Sequence, residues 1–239
     1  MTPPPGYVVG AGGGGYQIIA RPETFVATAA AFLGRKLGAI PDGRRLDVAL
    51  SGGSTPGPVY EALAGGPHAR WDRVRLFFAD ERAVPPEHAD SNYRLVRKTL
   101  LDRLAVEPEV HRMPADVDDL ERAATDYEAV LPDRLDILVL GLGSDGHTAS
   151  LFPGDPMVSD PARKVVATIA PTGPRRRLSI APRVIASARL VVILVTGERK
   201  TDAVRRTLFG HGPALECPGR LARRGVWIIG ADALPGVRR

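Results

Sequence analysis

The chain has 239 residues, 44% hydrophobic and 25% charged, enough to bury one substantial core and unlike the composition of a disordered chain. Net charge is +5, yet aromatics make up only 5% and do not interleave with the basic clusters GPRRRLS and RLARRG, so a nucleic-acid partner is not expected. A lone Cys217 forms no internal disulfide and no Cys/His spacing suits zinc, which leaves no call for a structural metal and points to a reducing compartment, the cytoplasm.

In chain order, residues 1–15 are rich in Pro and Gly and are expected to form a flexible tail, with residues 16–239 as one α/β domain. This start lacks a basic-then-apolar leader, and nowhere do about 18 apolar residues run together, so neither export nor a membrane span is expected. Gly10 to Gly15 satisfies G-x-G-x-x-G, but it leads into YQIIA, a strand pattern, where a dinucleotide site needs a helix; that reading is rejected. Further on, LDVAL, VRLFFA, DILVLG, KVVATIA, RLVVILVT and GVWIIG read as strands, several apolar enough to be buried on both faces. Helical patterns alternate with them: PETFVATAAAFLGRKLGAI, TPGPVYEALA, SNYRLVRKTLLDRL, DLERAATDYEAVL and ERKTDAVRRTLF. The alternation predicts βαβ units, hence a mainly parallel sheet with helices on both faces. Ligands of such sheets bind beyond the carboxyl ends of the strands, and the chemistry is sought there.

The first strand end, LDVALSGGSTPGPVYEAL, places Ser51, Gly52, Gly53, Ser54 and Thr55 before a helix with Pro56 in its first turn. Glycines let the backbone approach an anion, hydroxyls donate to its oxygens, and the helix start adds free N–H groups, so a phosphate fits. A tight turn with a Ser/Thr cap accounts for the same letters. It is not a Walker loop, since the Lys and its spacing are absent. VRLFFADER ends in Asp80, Glu81 and Arg82. These read as a solvated turn or structural ion pair, or as a site in which Arg82 grips phosphate and carboxylates orient a sugar.

GLGSDGHTAS again fits G-x-G-x-x-G, but Pro153 and Pro156 cut the following helix short and no acid ends a next strand at the right interval, against a dinucleotide. His147 near Asp145 reads instead as a general base with a fixed tautomer, or as an ordinary surface or capping histidine. In RLVVILVTGERKTDAV, Lys200 begins a helix, where the dipole disfavours a cation; a bound phosphate or simple solvent exposure resolves the conflict. Arg175, Arg176 and Arg177 precede another apolar stretch, as substrate contacts or as a solvated basic turn.

Four blocks in order, SGGSTP, FFADERAVPPEHADSNY, GLGSDGHTASLFPG and LVTGERK, resemble the 6-phosphogluconolactonase family, with weaker echoes in RRRLSI and VWIIGADA. The resemblance covers about Ile18 to Ala233. Glucosamine-6-phosphate deaminases and isomerases share the fold and a D-G-H element, but they differ after it and carry an aromatic where Arg82 stands. The resemblance implies a Rossmann-like α/β fold and hydrolysis of 6-phospho-D-glucono-1,5-lactone without metal or nucleotide. Its partner would be the sugar-phosphate lactone, and the assembly a monomer or weak homo-oligomer. By position, Ser51 to Thr55, Arg82 and Lys200 would hold the phosphate and His147 would act as base, with Asp145 and Asp80 near it. Ser144 departs from a frequent proline, and Gly230 from an acid that often follows the Trp segment.

Overall fold

Strands joined through long crossovers pair in parallel, and strands joined by short turns fold back. The computed structural model describes residues 7–12, 15–41, 43–66 and 70–236. The chain opens with β1 (Tyr7–Gly12) and β2 (Gly15–Ala20), and α1 (Phe25–Gly38) then leads to β3 (Leu46–Leu50). Next come α2 (Pro56–Ala64), β4 (Val74–Phe78), β5 (Asp80–Arg82), α3 (Asn92–Thr99), β6 (Glu109–Val110), α4 (Leu120–Val130) and β7 (Ile137–Gly141). The rest is β8 (Val165–Ile169), β9 (Arg176–Ile180), α5 (Pro182–Ser187), β10 (Leu190–Val195), α6 (Thr201–Leu208) and β11 (Val226–Gly230).

The main sheet has the order β1-β2-β11-β10-β7-β3-β4-β6. From β2 to β6 every pairing is parallel. The chain steps outward from β3 to β4 and β6, then returns past β3 to β7, β10 and β11. Right-handed crossovers in those two directions put α1, α2 and α3 on one face and α4, α5 and α6 on the other. The reversal between β3 and β7 leaves a crevice at their carboxyl ends.

Both faces being covered explains the nearly unbroken apolar strands. Leu138, Val192, Ile193 and Ile228 are buried, and so is Trp227, whose indole N–H donates to the Ala222 carbonyl at 3.2 Å. On α1, Phe25, Ala29, Leu33 and Leu37 recur every four residues and form its buried stripe. Tyr127 of α4 reaches the sheet edge, accepting from Phe78 N–H (2.9 Å) and donating to the His111 carbonyl (3.2 Å).

Two expectations need correction. Residues 7–12, assigned by composition to a tail, run as β1 antiparallel to β2, joined to it by a connection too short for a crossover. A Cβ on Gly15 would overlap the Arg223 carbonyl. Residues 1–6 and 13–14 lie outside the described residues. Nor does KVVATIA join the parallel sheet: β8 pairs antiparallel with β9, and β9 with β5, in a separate three-stranded sheet. Only residues 170–175 separate β8 from β9, too few for the crossover that parallel pairing needs.

Candidate active site

The turn after β3 is fixed at its first residue. Ser51 donates its N–H to the Val139 carbonyl of β7 (3.1 Å), and its own carbonyl accepts from the Tyr60 hydroxyl (2.8 Å). Burial, then the Asp80 charge, pushes the Tyr60 phenol up, so it remains a donor. Gly53 follows with φ +112°, a left-handed conformation open to glycine. Among the described residues, Gly52, Gly53, Ser54 and Thr55 donate no backbone N–H to another group. Four consecutive free donors at the start of α2 make an anion-binding concavity.

β5 sorts the DER triplet by strand alternation. Glu81 turns away from the crevice: its carboxylate accepts from the Arg82, Asn92 and Tyr93 N–H groups (2.8, 2.7 and 2.8 Å) and from the Ser91 hydroxyl (3.0 Å). It thereby fastens α3 to β5, and burial pushes its carboxyl up despite these donors. Asp80 and Arg82 face the other way. Asp80 is only 6% exposed and accepts from the Ser150 hydroxyl at 2.7 Å. Arg82 donates to the Asp90 carbonyl, and directly across from it on β9 stands Arg177.

Arg177 is 9% exposed and donates to the Pro174 carbonyl at 2.6 Å. Burial, then the neighbouring Arg82 charge, pulls its guanidinium below the usual arginine range. Neither guanidinium has a carboxylate partner among the described residues. Like charges placed opposite each other on paired strands repel, and an anion between them would remove the conflict.

Beyond β7 the chain folds His147 back onto Asp145. The imidazole Nδ1 lies 2.6 Å from Asp145 Oδ1, which also accepts the His147 backbone N–H at 3.1 Å. Partial burial pushes the Asp145 carboxyl up, but the bonds and charge of His147 outweigh it and hold the group below the usual carboxylate range. Of the two acids that the sequence left near His147, Asp145 makes this bond, while Asp80 bonds Ser150. Gly143 is what lets the pair close, since a Cβ there would overlap the His147 ring and come within 2.5 Å of Asp145 Oδ1. Phe152 packs against the imidazole, ring centroids 4.9 Å apart.

These segments meet in one open crevice. Ser51 to Thr55 line one side, Asp80 and Arg82 another, and His147 and Lys200 complete it. Asp145 stands behind His147. Lys200 is half-buried; burial pulls its ammonium below the usual lysine range, and the charge of Asp145 pulls it back up. Of the polar lining residues, the sequence left Arg177 open between substrate contact and solvated turn and gave no sign of Asn92. Arg177 was indistinguishable from its neighbours, but alternation along β9 was the available signal. Asn92 donates its side-chain amide to the Asp80 carbonyl at 2.9 Å and abuts Gly52, a long-range contact with no local signature. Of the other basic residues, Arg175 lies in a separate groove and Arg176 donates to the Asp118 carbonyl.

Known proteins are similar to this chain in sequence and in fold. Residues 20–228 match the model of the glucosamine-6-phosphate isomerases/6-phosphogluconolactonase family. A 6-phosphogluconolactonase of Synechocystis sp. is 35% identical over 205 residues, covering 80% of this chain and 84% of its own. One from Pseudomonas putida is 36% identical over 201 residues, covering 81% and 83%. Among solved structures, a 6-phosphogluconolactonase from Shewanella baltica superposes with a TM-score of 0.81 at 27% identity, over 90% of this chain and 97% of its own. That from Thermotoga maritima gives 0.77 at 26% identity, over 90% and 98%. With residues 20–228 matched by the family model and about four-fifths of the chain aligned to relatives at 35–36% identity, the chain belongs to the glucosamine-6-phosphate isomerase/6-phosphogluconolactonase family.

Proposed function

We propose that the chain is a 6-phosphogluconolactonase, hydrolysing 6-phospho-D-glucono-1,5-lactone to 6-phosphogluconate in the oxidative pentose phosphate pathway. One observation carries this reading: an anion-shaped half and a base-shaped half share one crevice. The free N–H groups of Gly52 to Thr55, with Lys200 and the two guanidiniums of Arg82 and Arg177, neither of them ion-paired among the described residues, offer a dianion several donors. His147, oriented by Asp145, faces the same space. Relatives bearing the lactonase name support the choice of substrate.

A δ-lactone is an activated ester, so a positioned water and a base suffice. His147 Nδ1 is engaged by Asp145, leaving Nε2 to take a proton as water attacks the lactone carbon. The tetrahedral intermediate then collapses with cleavage of the bond to the ring oxygen. That oxygen leaves with the proton held on Nε2, giving the open-chain acid. Asp145 keeps the tautomer and stabilises the transient imidazolium, and such general catalysis contributes about 10²- to 10⁴-fold. Phosphate binding, remote from the reacting carbon, supplies the orientation.

The test is acid release from freshly generated lactone, corrected for spontaneous hydrolysis. The wild-type chain accelerates it, while His147→Ala loses roughly 10²- to 10⁴-fold in kcat and still binds 6-phosphogluconate. Wild-type turnover in His147→Ala refutes the base assignment. Faster turnover of glucosamine 6-phosphate than of the lactone would move the chain to the isomerase side of the family.

A further inference from the structure

Lys200 enters the crevice from a turn whose fixed points come from another part of the chain. The turn leaves β10 at Thr196, passes through Gly197 at φ +101°, and tightens over Glu198–Lys200 into α6. Past the end of β11, Asp232 reaches back to it. One carboxylate oxygen accepts from the Thr196 hydroxyl and the other from the Gly197 N–H, both at 2.9 Å. Its backbone carbonyl accepts from the Thr201 hydroxyl at 3.4 Å. Bonds from one residue therefore hold the turn on both sides of Lys200. Gly230 leaves room for this, since a Cβ there would overlap the Thr196 hydroxyl and the Asp232 carboxylate.

We propose that Asp232 is a positioning residue for Lys200. It does not line the crevice; it sets the height and direction from which the lysine stem rises. Lysine is a flexible point charge, so the placement of its ammonium depends on the anchoring of its backbone. Charged acceptors make the stronger hydrogen bonds, and Asp232 spends both oxygens on this turn. The inference rests on the phosphate role of Lys200 proposed above. With the Ser51–Thr55 turn, Arg82 and Arg177 still orienting the phosphate, loss of this one contact weakens ground state and transition state alike and appears mainly in KM.

Steady-state kinetics on freshly generated 6-phosphogluconolactone, with a thermal melt of each variant, test the proposal. Asp232→Ala is expected to raise KM roughly 5- to 20-fold with kcat within about twofold. Asp232→Asn keeps an acceptor for the Gly197 N–H and stays within about threefold of wild type. Gly230→Ala displaces the carboxylate from the opposite side and follows Asp232→Ala, which keeps the test decisive if either variant folds poorly. Wild-type KM in well-folded Asp232→Ala or Gly230→Ala overturns the proposal, as does activity lost only in proportion to folded protein. Lys200→Ala separates the two layers. If it raises KM while Asp232→Ala does not, the positioning role fails alone; if it leaves KM unchanged, the phosphate reading fails and this inference with it.

Discussion

At the scale of single residues, the Asp145–His147 pair depends on a side chain that is missing. Gly143 has no positive φ, so alanine there is conformationally permitted, and the obstacle is space alone. Its methyl group would occupy the place where the carboxylate meets the imidazole. Either the histidine rotates away or the loop shifts, and both break the 2.6 Å contact. Gly143→Ala is therefore expected to lower kcat by roughly 10- to 10³-fold, with KM nearly unchanged because the phosphate half is untouched. Steady-state kinetics settle it: wild-type kcat would mean that His147 does not need Asp145, while a raised KM would mean that the loop also holds the substrate. From letters alone Gly143 looked like one of several turn glycines. Only the closure of the loop distinguishes it.

At the scale of elements, alternation along two short strands decides which charges face the crevice. The parallel strands were legible from their apolar runs, and the Gly-Ser-Thr turn from its place between strand and helix. The small antiparallel sheet was not, because Asp80–Arg82 is only three charged residues and Arg176–Ile180 opens on arginines that read equally well as a solvated turn. Once they pair, the period of two sends Glu81 into α3 and sets Arg82 against Arg177. The pairing costs stability in the absence of an anion, since two cations share a partly buried site. Arg177→Met keeps the bulk of the side chain and removes one charge. The ligand-free variant is expected to match or exceed wild-type stability by up to about 1 kcal/mol, roughly 2–4 °C in Tm, while KM rises at least about tenfold. A lower Tm with unchanged KM would reassign Arg177 to a structural role.

At the scale of the whole molecule, the two ends of the sheet use arginine in opposite ways. At the amino ends of the strands the charges are matched. Arg75 grips Asp47 through two bonds of 2.7 and 2.8 Å. Asp136 is bonded by Arg44, lies 3.1 Å from Arg189, and accepts the Asp47 N–H at 3.1 Å. This chain of contacts crosses β4, β3 and β7 and reaches the start of β10, stitching together strands that no hairpin joins. At the carboxyl ends, Arg82 and Arg177 of the small sheet face the crevice, and neither is ion-paired to a carboxylate among the described residues. Matched charges there would stabilise the fold and leave no attraction for a phosphate; unmatched charges at the amino ends would only destabilise it. The sequence could not show this division, because each partner lies dozens of residues away. Asp136→Asn separates the two roles, since it leaves Arg44 and Arg189 unmatched far from the crevice. Both arginines are about half exposed, so solvent softens the loss to about 1–3 kcal/mol. Chemical denaturation should show that drop with kcat and KM within about twofold of wild type; a catalytic defect in the folded variant would mean that the two ends of the sheet are coupled.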